Sequence, residues 1–99
     1  MTFVTTQPDM IAAAAGQLAG VGSDLMAHNA AAVASTTAVV PAAADEVSAL
    51  TAAQFASHAA MYQAVSAHAA AVHELFVAVL GASADSYGAT EAANASSAI

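Results

Sequence analysis

Between two alanine-rich runs lies the stretch Ser35-Thr36-Thr37-Ala38-Val39-Val40-Pro41. Its β-branched residues are weak helix formers, and Pro41 pushes the residue before it out of helical geometry. On either side alanine, the best helix former, recurs densely over Met10–Ala34 and Ala42–Ala82. The sequence therefore predicts an all-α fold in which two helices meet at this turn, and the short connection makes them antiparallel.

Capping signals place the two helices at residues 8–36 and 41–82. Thr6 is expected to cap the first helix, and Pro8 suits the first helical position because it has no N–H group to leave unsatisfied. Pro41 is expected to open the second helix in the same way. We expect no helix beyond residue 82.

The chain has 99 residues, which is one domain at most, and 33 of them are alanine. Alanine methyl groups bury little apolar area, so a core built by this chain alone would be thin. We expect a helical domain over residues 1–84 and a flexible tail, rich in Gly, Ser, Ala and Asn, over residues 85–99.

Charge excludes several classes of function. Seven acidic residues face no lysine and no arginine, so no conventional internal salt bridge can form. Binding to nucleic acid or to an anionic membrane surface needs clustered cations, which this chain lacks.

The absence of cysteine rules out disulfides and thiolate metal sites. The N-terminus lacks the features of a Sec signal peptide, and polar residues interrupt every apolar run of about 18 residues, which argues against a membrane-spanning helix.

The apolar residues follow helical spacing on both predicted helices. Ile11, Leu18 and Leu25 recur every seven residues and form a narrow seam that fits one neighbouring helix. The second helix carries a wider stripe, which we call the α2 stripe and which consists of Val47, Gln54, Met61, His68 and Leu75, flanked by Val65, Val72, Val79 and by Phe55, Tyr62, Phe76. A stripe this wide should be covered on more than one face. We expect part of it to remain for a second chain, as a partner or as another copy.

Catalytic and metal-binding patterns are weak. His68 and His73 are five residues apart and point about 140° away from each other on a helix, which is poor geometry for a shared metal. Ser57 beside His58 has only sequence adjacency, and two helices offer no pocket for a catalytic group. We predict no cofactor, no metal site and no enzymatic activity.

Four stretches resemble the PE family of mycobacteria across the whole chain. They are Pro8-Asp9 near the start, the run Thr36–Ser48 at the turn, and the runs His58–Ser66 and His73–Val77 in the second helix. The family name would place Glu where Asp9 stands, and the chain ends at Ile99 without the long extension of some members. We therefore expect a protein consisting of the PE domain only.

The resemblance implies a hairpin that completes a helical bundle with a PPE-family partner, the pair being exported by a type VII (ESX) secretion system. An EspG-type chaperone would bind the PPE subunit, and so contact this chain only indirectly. In the family, a Tyr-x-x-x-Asp/Glu motif after the second helix is part of the secretion signal, and Tyr87 and Glu91 occupy those positions. The implied location is the cell surface or the medium, after assembly in the cytoplasm.

Another class of function stays open. The chain could be a self-associating helical protein of the cell envelope that contributes to a transport pore. Leakage from liposomes would distinguish this reading from a simple exported heterodimer.

Overall fold

The computed structural model describes residues 3–98, which contain two α-helices and no strand. Helix α1 spans Pro8–Thr37 and helix α2 spans Glu46–Ser97, with residues 38–45 connecting them. The predicted all-helical, two-helix architecture is confirmed.

Helix α1 begins where the sequence predicted, but its cap differs. Pro8 is the first helical residue, and the carbonyl of Gln7 accepts hydrogen bonds from the amides of Met10 and Ile11, each at 3.1 Å. Thr6, the predicted cap, lies one residue outside this position, and its hydroxyl donates to the carboxylate of Glu91 instead. Capping requires the residue directly before the first helical residue, and that position is held by Gln7 rather than Thr6.

The end of α1 matches the predicted turn. The hydroxyls of Thr36 and Thr37 donate to the carbonyls one turn earlier, of Ala32 and Val33, each at 2.6 Å. A bend follows at Ala38, so the helix ends one residue beyond the predicted position 36. Such bonds satisfy side chains that would otherwise compete with the helical backbone.

Helix α2 begins at Glu46, and the predicted start at Pro41 is wrong. Asp45 caps the helix: its two carboxylate oxygens accept from the amide and the hydroxyl of Ser48, each at 2.8 Å. These bonds, that from the Ser48 amide first, lower the pKa of Asp45 below its ordinary value of 3.8. A carboxylate that satisfies free N–H groups is a stronger start signal than a proline that merely tolerates the first position.

The predicted end of α2 at residue 82 is also wrong, because the helix continues to Ser97. The stretch expected to be a flexible tail is helical as far as Ser97, and Ile99 lies outside the described residues. Gly81 and Gly88 each cost about 1 kcal/mol relative to alanine, but the surrounding alanines favour the helix and no proline interrupts it. The functional division between residues 1–84 and 85–99 stays a prediction.

The chain divides into two compact units. The terminal unit comprises residues 3–22 and 73–98, and the turn unit comprises residues 23–72. In the terminal unit Pro8 lies near Gly88, and the carbonyl of Leu18 is bonded to His73, so the two helical segments are antiparallel.

In the turn unit the helical segments are antiparallel as well. Asn29 is bonded to Ser66, whereas Thr36, farther along α1, lines a groove with Ala59, earlier in α2. Residues later in α1 therefore lie beside residues earlier in α2.

Small and polar residues line the contact between the helices in the turn unit, and Val77 and Leu80 join them in the terminal unit. On α2 they occupy two rows with a seven-residue spacing, every member of which is buried or half-buried: Ala52, Ala59, Ser66, Ala56, Gln63 and Ala70 in the turn unit, and His73, Leu80, Val77 and Ala84 in the terminal unit. This spacing is typical of helices that pack along a seam. Among residues 3–98 the only buried hydrophobic side chains are Ala15, Ala52 and Ala84, so no large side chain forms a core.

Candidate functional site

The large apolar side chains of the turn unit face solvent. On α2 their exposed fractions run from 51% for Tyr62 to 73% for Val47, and the set consists of Val47, Leu50, Phe55, Met61, Tyr62, Val65 and Val72. We expected part of the α2 stripe to pack against α1, but the rows of small residues take that place. Small side chains let two helices approach closely, which turns the large ones outward.

The terminal unit repeats this arrangement in part, because Val77 and Leu80 of α2 are half-buried there. Leu75, Phe76 and Val79 are each more than half exposed. On α1 the predicted seam residues Ile11 and Leu18 are half-buried in this unit. The third, Leu25, belongs to the turn unit and is 54% exposed, although it has the same seven-residue spacing.

The total accessible surface, polar and apolar together, is larger than that of a compact monomer of the same mass. The chain exposes 7356 Å². A compact monomer of its mass would expose about 5,000 Å² by the usual scaling of area with mass. The excess of about 2,300 Å² lies within the range of area that obligate protein interfaces bury.

Polar side chains fix how the helices meet in the turn unit. The amide nitrogen of Asn29 donates to the hydroxyl of Ser66, and its carbonyl oxygen accepts from the hydroxyl of Tyr62 at 2.9 Å. The side chain of Gln63 donates to the backbone carbonyl of Asn29 at 3.0 Å. Sequence reasoning missed this cluster, and its signal was the lone Asn within an alanine-rich helix opposite Gln and Ser at seam positions.

A second polar contact lies in the terminal unit. Nε2 of His73 is 2.6 Å from the carbonyl oxygen of Leu18. A carbonyl can only accept, so His73 must donate, and its Nε2 carries the proton. The ring lies directly over Gly22, where a Cβ atom would come within 2.7 Å of Cδ2. The bare glycine backbone is what permits this approach.

The proposed secretion motif lies near the end of α2. Tyr87 is 47% exposed, and Glu91 is half-buried one helical turn later. One carboxylate oxygen of Glu91, Oε1, accepts from the amide of Thr6 at 2.9 Å and from its hydroxyl at 3.1 Å. The structure thus brings Glu91 to the segment that precedes α1, which the sequence did not suggest.

Residues 3–98 contain no cluster of three or more His, Cys, Asp or Glu side chains with suitable geometry for a metal ion. His28, His58 and His68 are exposed, and Nε2 of His73 is bonded to the carbonyl oxygen of Leu18.

Both helices are long and apolar enough to cross a membrane, which the sequence argument did not anticipate. The relevant 18-residue windows have mean hydropathies of 1.2 in α1 and 1.5 in α2, and almost none of their residues are buried. The expectation rested on interruptions by Asp, His, Asn, Pro and Glu. Every 18-residue window of α1 does contain Asp24, but residues 47–73 of α2 contain no acidic residue. This length and composition are found both in helices that span a membrane and in helices that another protein covers, so they do not distinguish the two.

The fold and its surface define a class of protein: a two-helix chain with a seam of small residues and large apolar side chains facing outward. A family profile described as PE family matches residues 4–94. The chain is 64% identical over 98 residues to PE family protein PE13 of Mycobacterium tuberculosis (strain ATCC 25618 / H37Rv), covering 99% of each protein. The chain belongs to the PE family.

Longer relatives contain the same region. PE family protein PE8 of the same strain is 53% identical over 98 residues, which are 99% of this chain and 36% of PE8. PE-PGRS family protein PE_PGRS33 of M. tuberculosis (strain CDC 1551 / Oshkosh) is 57% identical over 95 residues, 96% of this chain and 20% of that protein. The chain therefore spans only a minor part of these two relatives.

Proposed function

We propose that this chain is the PE subunit of a PE/PPE heterodimer that a type VII (ESX) system exports, and that it acts without catalysis at the cell surface or outside the cell. The observation that carries the proposal is the α2 stripe, whose large apolar side chains are exposed in both units while the buried hydrophobic side chains of residues 3–98 are three alanines. A chain built this way needs another surface to cover it.

The partner's chemistry follows from the stripe. From Met61 to Val79 its side chains recur every three or four residues along α2, so a complementary helix with the same spacing would cover them best. The chain has seven acidic residues and no lysine or arginine, so any ion pairs with basic side chains have to come from the partner. A PPE-family helical protein is the partner that family membership favours.

Export is assigned to Tyr87 and Glu91. Tyr87 is accessible at the surface of α2, and Glu91 follows on the next turn. A Trp-x-Gly element from the partner would complete the signal, and this chain, which has no tryptophan, leaves that part to the PPE subunit. An EspG-type chaperone would act through the PPE subunit, upstream of the ESX machinery.

Substitutions in the stripe test pairing. Burial of a leucine side chain is worth about 1.5–3 kcal/mol. Leu75→Gln should therefore weaken binding to the cognate PPE protein and raise the dissociation constant by about 10- to 150-fold. Val65→Gln should act in the same direction, whereas Ala60→Gln, an exposed α2 position outside the stripe, is the matched control. Calorimetric titration gives the three constants. Equal affinities for all three variants would exclude the stripe as the interface.

Export is tested separately. Tyr87→Ala should lower the amount of the pair in the culture medium while co-purification with the PPE protein from the cytoplasm is unchanged. Normal export of this variant would remove Tyr87 from the signal but would leave the pairing proposal intact.

A second function, pore formation in the cell envelope, is favoured by one observation: both helices are long and apolar enough to span a membrane. Dye-loaded liposomes distinguish the two cases. Leakage caused by the purified pair, and lost with Leu75→Gln, would favour the pore. Intact liposomes at concentrations where the pair is fully formed would count against it.

A further inference from the structure

Glu91 is held from a distance of 85 residues along the chain. The amide and the hydroxyl of Thr6 both donate to Oε1 of Glu91, at 2.9 Å and 3.1 Å, in a partly buried position. Among residues 3–98, Asp45 and Glu91 are the acidic residues whose side chains accept hydrogen bonds, and Asp45 is occupied by its own helix cap. Glu91 is therefore the acid that is bonded to a different part of the chain.

The two bonds restrict the Glu91 side chain. A free glutamate populates several rotamers, and whatever recognises it has to select one of them. Hydrogen bonds to a carboxylate are about twice as strong as neutral ones, and two donors from one residue fix the position of the acceptor oxygen. Within the described residues no hydrogen bond reaches the other oxygen, Oε2, so it can accept a bond from outside the chain.

Tyr87 and the segment before α1 lie on either side of this carboxylate. Tyr87 precedes Glu91 by one helical turn, and a groove beside Glu91 is lined by Phe3, Val4 and Thr5 together with Asn94. The restrained carboxylate is thus one helical turn from the aromatic residue of the motif and in contact with the N-terminal segment.

We propose that Thr6 is a positioning residue of the export signal: it orients the Glu91 carboxylate, so that the signal is built from both ends of the chain. This inference rests on the proposed role of Tyr87 and Glu91 in export. A preorganised carboxylate is recognised at a lower entropic cost than a mobile one.

The test uses the complete chain with its PPE partner, expressed at equal levels in mycobacterial cells. Thr6→Val removes the hydroxyl donor and keeps the side-chain shape and the amide. Loss of one hydrogen bond to a charged acceptor corresponds to an effect of about tenfold or more, so export relative to the intracellular pair should fall by at least about tenfold. Thr6→Ser, which restores the hydroxyl, should restore export.

A merely structural role is distinguished by two further measurements. The yield of the co-purified pair should be the same for Thr6→Val and Thr6→Ser, although the lost bond lowers the melting temperature of Thr6→Val slightly. In the Glu91→Ala background, Thr6→Val should cause no additional loss, because the group that it positions is gone. A loss of export that simply follows a loss of the pair, or that adds fully to the effect of Glu91→Ala, would overturn the inference.

Hydrogen exchange checks the contact directly. The Thr6 amide should exchange faster in Glu91→Ala than in the parent, while Asp85→Ala, an exposed acid on the same helix, should leave its rate unchanged. Equal exchange in all three proteins would show that the bond is absent. If Tyr87→Ala is exported normally, the proposed signal itself fails, whereas a normal Thr6→Val with a defective Tyr87→Ala refutes only the positioning role.

Discussion

Gly22 gives a sharp test of how closely the two helices pack. Replacing a helical glycine by alanine ordinarily stabilises the helix by about 1 kcal/mol. Gly20 should follow this rule, since a Cβ atom added there meets nothing within 4 Å. At Gly22 the added Cβ would lie 2.7 Å from Cδ2 and 3.0 Å from Nε2 of His73.

The ring of His73 has to move to admit that methyl group. The movement breaks its bond to the carbonyl of Leu18, and overpacking of this kind costs about 1–3 kcal/mol. Set against the gain in helix propensity, Gly22→Ala should leave the free energy of unfolding unchanged or lower it by up to about 2 kcal/mol. Gly20→Ala should raise it by about 1 kcal/mol.

A double-mutant cycle isolates the cause. In the His73→Ala background the ring is absent, so Gly22→Ala should stabilise the chain by about as much as Gly20→Ala does, and the coupling energy should be about 1–3 kcal/mol. Urea unfolding followed by far-UV circular dichroism measures all variants, with the chain in the same state of association throughout. If Gly22→Ala stabilises the parent as much as Gly20→Ala does, the close approach of His73 to α1 is wrong.

Three other predictions follow from the polar contacts and the stripe. Asn29→Ala removes the bonds to Ser66 and Tyr62 and should lower the free energy of unfolding by about 1–3 kcal/mol. Asn94→Ala, at an exposed position, is the control and should change this free energy by less than about 0.5 kcal/mol. Urea unfolding compares the two variants. The pKa of Asp45 is lowered in the folded chain, so its stabilising effect is present above the ordinary value of 3.8 and is lost as the pH falls through the lower folded value. Asp45→Asn should therefore flatten the loss of helix content below about pH 3.8, and an unchanged acid titration would contradict the cap. Phe55→Gln should raise the solubility of the isolated chain and weaken its binding to the PPE protein, as sedimentation and titration would show; a gain in solubility without weaker binding would separate self-association from pairing.

The beginnings and ends of the helices show what local sequence encodes. Pro8 and the stretch Ser35–Pro41 were sufficient to predict α1 within one residue, because their effects act on neighbouring backbone groups. The start of α2 was misplaced since the cap at Asp45 competes with the proline at position 41. Its end was missed because a composition rich in Ser and Gly was given more weight than alanine's helix propensity.

The direction of packing was harder to predict than the helices. Most of the large apolar residues of α2 face outward, and the contact is formed by rows of Ala, Ser, Gln and His together with Val77 and Leu80. The same seven-residue spacing is present in both sets, so the pattern alone does not decide which one faces α1. The bond between Thr6 and Glu91 joins residues 85 positions apart, and no local rule predicts it.

Oxidation of Met61 tests the central claim, that a PPE partner covers the outward face of α2. Met61 lies in the α2 stripe and is 66% exposed in the chain alone, so dilute peroxide should convert it readily to the sulfoxide. Mass spectrometry can follow this conversion with and without a saturating amount of the cognate PPE protein. The account predicts strong protection of Met61 in the pair. An equal oxidation rate in both samples, with the pair shown to be formed, would contradict it.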